Sequence, residues 1–161
     1  MYFIPCFDPT LRFECMKCGN CCGRNLDMWL LELYPTEVNV LKEMNLEKCI
    51  IKKGSHYFLA RKGDGSCIFL NKDNLCKLRL EYDWYPVNCR IFPFSTRIVN
   101  DMLVIYLNIK YIKRVKCNGF GKGDMLGAQV DKVINALREV GVLKDYFVVT
   151  SSSSSDDNLK R

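Results

Sequence analysis

Phe13-Glu14-Cys15-Met16-Lys17-Cys18-Gly19-Asn20-Cys21-Cys22 sets four thiols within eight residues, and its reading decides the fold. A Cys-x-x-Cys step lets one tight turn aim two sulfurs at a single ion, as zinc ribbons and iron–sulfur loops do. Disulfides are the competing use of such thiols. Neighbours as close as Cys18 and Cys21 cannot pair without strain while all four stay bridged. Metal is therefore the better reading of this stretch, and the chain around it becomes a small domain organised by metal.

Composition agrees. The chain has 161 residues, 48% of them apolar, enough for one compact core and cramped for two ordinary domains. Ten cysteines stand beside a single histidine, His56. The opening MYFIPCFDPT has no basic region and is broken by Pro5, Asp8 and Pro9. It does not read as a secretory leader. A cytoplasmic location is expected, and in a reducing compartment clustered thiols hold metal rather than disulfides. No run of 18 apolar residues exists, so no membrane span is expected.

A four-coordinate ion uses only the first cluster. Adjacent Cys21 and Cys22 are expected to point in different directions, with one of them serving a second site. Asn71-Lys72-Asp73-Asn74 is turn chemistry, and a hairpin there would bring Cys67 and Cys76 together. Cys89 and Cys117 complete a set of eight metal-ligand candidates: Cys15, Cys18, Cys21, Cys22, Cys67, Cys76, Cys89 and Cys117. Eight thiolates make two tetrahedral sites, one multinuclear thiolate cluster, or an iron–sulfur cluster plus a structural zinc. The cofactor is Zn²⁺ or an iron–sulfur cluster, and the spacing admits both.

With these residues in order, the sequence resembles the YkgJ-type cysteine-cluster family, described as zinc- or iron-chelating. The resemblance rests on Phe13-x-Cys15-x-x-Cys18-Gly19-x-Cys21-Cys22, on Cys67 and Cys76, on Pro86-x-x-Cys89-Arg90-x-Phe92-Pro93-Phe94, and on Cys117-Asn118-Gly119-Phe120-Gly121. It covers about residues 13 to 123. Two departures stand out: Tyr85 where the family usually has Arg before the proline, and Asn118 where it usually has Pro. Neither removes a sulfur. Cys6 and Cys49 fall outside the pattern and read as ordinary buried thiols. Some flagellin lysine N-methylases resemble this domain, which implies a possible methyl-transfer role but does not derive one.

Coarse structure follows from the remaining patterns. Residues 1–12 read as extended, Leu26–Leu33 as a short strand, and Thr36 as the cap of a helix through Met44 with Val40, Leu41 and Met44 on its apolar face. Tyr57–Ala60 reads as strand, followed by the loop Lys62-Gly63-Asp64-Gly65. Residues 76–83 are open to two readings: Cys76, Leu78, Leu80 and Tyr82 alternate like a strand, yet Asn74 could cap a helix that ends before Pro86, and it is the family resemblance that implies the helix. Met102–Tyr111 is the strongest strand. Asp124 reads as the cap of an amphipathic helix through Val140, closed by Gly141. The fold class is α+β: a small single metal-stabilised domain over residues 1–149, with cysteine-rich loops, short strands and hairpins and a C-terminal amphipathic helix. Residues 150–161, rich in Ser and Asp, are expected to be a disordered tail.

Four side-chain readings complete the sequence argument. Arg90 is either a donor to a cysteine sulfur or a surface arginine. His56, after Gly54-Ser55, reads as an exposed turn residue rather than a ligand. Gly119, Gly121 and Gly123 read as tight turning beside Cys117 rather than a phosphate cradle. Net charge is +6, 24 Lys+Arg against 18 Asp+Glu, which permits an anionic partner without demanding one. The basic residues Lys110, Lys113, Arg114 and Lys116 read as the solvated side of an edge strand, with no recognition helix, so nucleic acid is not expected. A protein partner stays unnamed. Three function classes stand: a metal-binding domain, an iron–sulfur redox or methyl-transfer component, and a zinc module on nucleic acid.

Overall fold

The computed structural model describes residues 2–23 and 30–143. The expected tail and the 26–29 half of the strand expected at Leu26–Leu33 lie outside them. Among the described residues, three small sheets and five short α-helices make up the α+β fold. Strands β1 (Tyr2–Cys6), β6 (Phe94–Val99) and β7 (Met102–Leu107) form one sheet in the order β1-β7-β6. β1 runs parallel to β7, pairing Tyr2 with Met102 through Cys6 with Tyr106, while β6 and β7 form an antiparallel hairpin. A second sheet has the order β3-β5-β4, from β3 (Glu32–Leu33), β4 (Ile50–Lys53) and β5 (His56–Leu59). The third is the two-residue pair β2 (Arg12–Phe13) with β8 (Asp124–Met125).

The helices are α1 (Pro35–Glu43), α2 (Lys77–Tyr82), α3 (Val87–Arg90), α4 (Ile109–Val115) and α5 (Val130–Glu139). Two hydrophobic clusters result. One joins Phe13, Val87, Ile91 and Phe94 to Leu103 and Ile105 of β7 and to the inner face of α5. The other joins Leu33, Val38, Leu41 and Leu59 to Phe69 and Leu78. Cys117 packs on the first cluster, and Cys49, Cys67 and Cys76 pack on the second. Helix α5 shows the sequence pattern directly: Val130, Val133, Ile134 and Leu137 are buried at helical spacing.

Several boundaries differ from expectation, each for a physical reason. Tyr34 rather than Thr36 caps α1, because Pro35 takes the first helical position and the Glu37 carboxylate accepts the Tyr34 N–H at 2.9 Å. Cys76 rather than Asn74 opens α2; Asn74 has a positive φ of 60° inside the turn. The long strand at Met102 stops at Leu107, because the Asn108 side chain accepts the Tyr111 N–H and starts α4. The basic residues 110–116 therefore lie on a helix and its end, not on an edge strand. Asp124 sits in β8, and a 3-10 turn, Leu126–Gln129, leads into α5 instead. Gly141, at φ 74°, follows the helix as expected.

Candidate metal centre

Two segments bring the cysteines together. The first loop turns at Gly19, whose φ is 71°, and the Cys22 N–H donates back to the Gly19 carbonyl at 2.9 Å. A side chain at Gly19 would meet the Asn74 Cβ at 2.8 Å, so glycine lets this loop lie against the turn before Cys76. The Cys67 N–H donates to the Cys22 carbonyl at 2.8 Å and stitches the two loops side by side. The turn between Cys67 and Cys76 is built as the sequence implied, with Asn71 Oδ1 accepting the Asp73 and Leu75 N–H groups at 2.9 Å each. It closes through a single bridge between Leu70 and Cys76 rather than a regular hairpin.

Cys89 arrives on α3. The Glu37 carboxylate, buried to 2% exposure, holds that helix by accepting the Val87 N–H at 2.5 Å while it also caps α1. Cys21, Cys22, Cys67 and Cys89 then line one cavity of about 30 Å³, shared with Leu31, Leu59 and Arg61. That is room for a single ion and not for a substrate. The Cys21 and Cys22 sulfurs are 3.9 Å apart and face the same space. Two thiolates on one tetrahedral zinc, each at about 2.3 Å, stand about 3.8 Å apart. The expectation that these neighbours diverge is thus overturned: the 3-10 turn at Asn20–Cys22 turns both inward.

A second group forms where residues 13–20 flank residues 116–120. The Glu14 N–H donates to the Gly119 carbonyl at 3.1 Å, and Asn20 Nδ2 donates to the Lys116 carbonyl at 3.2 Å. Cys15 is exposed there, with Cys18 and Cys117 half-buried. Burial is the first cause that pushes the Cys117 thiol up, with Cys18, Cys21 and Cys15 adding to it. Burial also comes first for Cys67 and Cys89, and Cys76 adds to both. Among the described residues, no group of three or more His, Cys, Asp or Glu side chains is already set for coordination. The centre is a convergence of thiols rather than a finished shell.

The donor set fits a thiophilic cation. Burial, then the neighbouring Cys67 charge, pushes the Cys89 thiol far above its usual range. Cys22 is held protonated first by its hydrogen bond to Cys21, then by burial, while the same bond lowers Cys21. Ionising several of these thiols together therefore calls for a cation among them, and Zn²⁺ or iron supplies it.

Arg90 does not serve the sulfurs. Its guanidinium donates to Glu139 of α5 at 2.5 Å. Burial pushes the Cys67 thiol up, an effect that Arg61 offsets in part, and Cys21 is held down first by its hydrogen bond with Cys22, with Arg79 adding a smaller pull. Arg61 carried no spacing signal because it reaches Cys67 across a β-bridge. Tyr111 was also missed: its hydroxyl donates to the Cys21 carbonyl at 3.0 Å. His56 lies exposed against Glu32 as the first residue of β5, in a strand rather than in the turn expected for it. Cys49 is half-buried and Cys6 exposed, so the reading of Cys6 as a buried thiol is wrong; β1 is exposed along its length.

A family model described as "Putative zinc- or iron-chelating domain", CxxCxxCC, matches residues 14–118. Among curated proteins, the chain is similar to two uncharacterised proteins of Methanocaldococcus jannaschii. One is 29% identical over 134 residues, 81% of this chain and 45% of the relative. The other is 27% identical over 124 residues, 71% of this chain and 61% of the relative. The chain thus spans about half the length of the curated relatives it matches. No solved structure matches it.

Proposed function

The chain belongs to the CxxCxxCC family of zinc- or iron-chelating domains, and from that membership we propose that its eight cysteines, Cys15, Cys18, Cys21, Cys22, Cys67, Cys76, Cys89 and Cys117, hold the metal as thiolates. The observation that carries this reading is the ion-sized cavity lined by Cys21, Cys22, Cys67 and Cys89, which come from three separate stretches of chain. We assign these four to one site, and Cys15, Cys18 and Cys117 to a second, with Cys76 beside Cys67. Four thiolates around one ion would leave no open coordination position, which favours a structural or partner-presenting duty over hydrolysis. Glu37 and Tyr111 act as positioning residues, one through α3 and the other through the Cys21 backbone. The protein works in the cytoplasm as one domain over residues 1–149.

Anaerobic purification followed by metal analysis and a visible spectrum tests the reading. Colourless protein with about two zinc ions per chain supports two closed sites. Brown protein with iron and inorganic sulfide moves the weight to a redox or methyl-transfer component. Protein with neither metal overturns the proposal. For the ligands, Cys89→Ser is expected to lower metal content while Cys49→Ser leaves it unchanged; equal metal in both variants refutes the assignment.

A further inference from the structure

An open cavity of about 540 Å³ lies where β7 passes into α4. Its lining is rich in aromatic residues: Tyr34 before α1, Phe58 of β5, Phe92 after α3, Tyr106 of β7 and Tyr111 of α4. All five are half-buried, so each keeps accessible surface. Phe92 is held from behind, its ring meeting Phe13 of the core at 5.6 Å between centroids and Tyr111 edge-on at 6.1 Å. Asn88 and Asn108 add side-chain amides to the lining, and Ser95 a hydroxyl. Glu32, a carboxylate in the lining, is paired with His56 at 2.5 Å. The volume falls within the range of small-molecule sites, about 300–1,000 Å³, and admits a heterocyclic ring.

Cations adjoin this lining. Asn108 caps α4 and Tyr111 lies in its first turn, so the helix forms part of the cavity wall. Its exposed Lys110 and Lys113 stand one turn apart, with Lys116 exposed at the helix end. At 1.5 Å of rise per residue, Lys116 lies about 8 Å along the axis from Tyr111. Arg97 adds a guanidinium 5.6 Å from the centre of the Tyr106 ring. The stretch 102–123, which builds β7, α4 and the following loop, holds four lysines and no Asp or Glu. The edge-strand reading that spoke against nucleic acid does not hold for these lysines, which stand on a helix and its end. Accessible rings beside a lysine-bearing helix are the two parts of a single-strand site, where bases stack and phosphates meet cations. We propose that the groove and α4 together bind single-stranded nucleic acid. Unpaired bases lie against Phe58 and Phe92, the asparagine amides meet base edges, and the phosphates run along Lys110, Lys113 and Lys116.

Fluorescence anisotropy tests this, with a short labelled RNA strand of mixed sequence titrated by the protein as purified, with the metal it carries. Three lysines on three phosphates give log affinity against log salt a slope of about −2. Lys110→Ala combined with Lys113→Ala is expected to bring that slope to about −0.7. Phe58→Ala is expected to weaken binding about tenfold at an unchanged slope, the scale of one lost stacking contact, and Phe58→Tyr to keep it. Lys132→Ala, on the exposed side of α5, leaves both affinity and slope unchanged. Metal content measured on each variant confirms an intact centre and keeps a failed metal assignment separate from a failed groove. Absence of binding at low salt overturns the proposal. So does a duplex of the same sequence, or an abasic strand, binding as tightly as the RNA. A change of slope with Lys132→Ala equal to that of the lysine pair overturns it as well.

Discussion

Glu37 is the clearest single residue at which the sequence and the centre meet. A carboxylate is costly to bury, and burial does raise its pKa, but two backbone N–H groups offset the cost. The two oxygens serve different elements: one caps α1 and the other holds α3, on which Cys89 rides. Glu37→Gln keeps the shape and replaces one acceptor with a donor facing an N–H. The loss expected is about 1–3 kcal/mol of stability, read by denaturant unfolding of metal-loaded protein; an unchanged midpoint would show that the clamp carries no energy. Gly119 makes the complementary case. A Cβ there would stand 2.2 Å from the Glu14 carbonyl oxygen, against the strand that leads into Cys15. Gly119→Ala is expected to cost about 1–3 kcal/mol or more as overpacking and to loosen metal at the Cys117 side, whereas Gly121→Ala, with open space around it, acts only through its positive φ of 83°. Sequence alone pointed correctly to tight turning at these glycines. It could not show Glu37, because an acidic residue one turn into a helix reads as a solvated face until the partner helix is known.

At the scale of elements, the sequence was most legible where one signal dominated. The apolar spacing of α5 and the apolar run of β7 needed no tertiary information. It was least legible where two signals competed. Tyr111 and Ile112 continue the strand composition of Met102–Leu107, yet Asn108 satisfies an early N–H of α4 and turns the chain into helix. Asn108→Ala is expected to destabilise the protein by about 1 kcal/mol and to weaken the seat of Tyr111 on Cys21. A thermal melt that does not move would assign α4 to packing alone. Arg90 left two readings open, a donor to sulfur or a surface arginine. One residue further round the helix from Cys89, its guanidinium faces α5 and Glu139. The neighbours Cys21 and Cys22 erred the opposite way: strand-like alternation would separate their side chains, and a 3-10 turn gathers them.

For the whole molecule, Cys117 packs on one hydrophobic cluster and Cys49, Cys67 and Cys76 on the other. Neither cluster is large, and cysteines or their immediate neighbours pack on both. Stripping the metal with a strong chelator is therefore expected to unfold the domain rather than leave a hollow centre. Circular dichroism that persists after verified metal removal would show that the clusters hold without it. The number and spacing of thiols were visible in the sequence from the start. Which loops lie side by side, as those of Cys22 and Cys67 do, was not.

The pairing of β1 with β7 has a consequence for how the chain is made. Tyr2 and Met102 are partners across 100 positions of sequence. As the polypeptide leaves the ribosome, the first strand waits for its mate until most of the domain has been translated, and closing so long a loop is entropically slow. Within that interval Cys15, Cys18, Cys21 and Cys22 emerge first, Cys67, Cys76 and Cys89 follow before β7 is made, and Cys117 comes only after it. The nascent cysteine loop is thus a period of exposed, incompletely partnered thiols, during which the reducing capacity of the surroundings decides whether the chain reaches its metal or a wrong disulfide first.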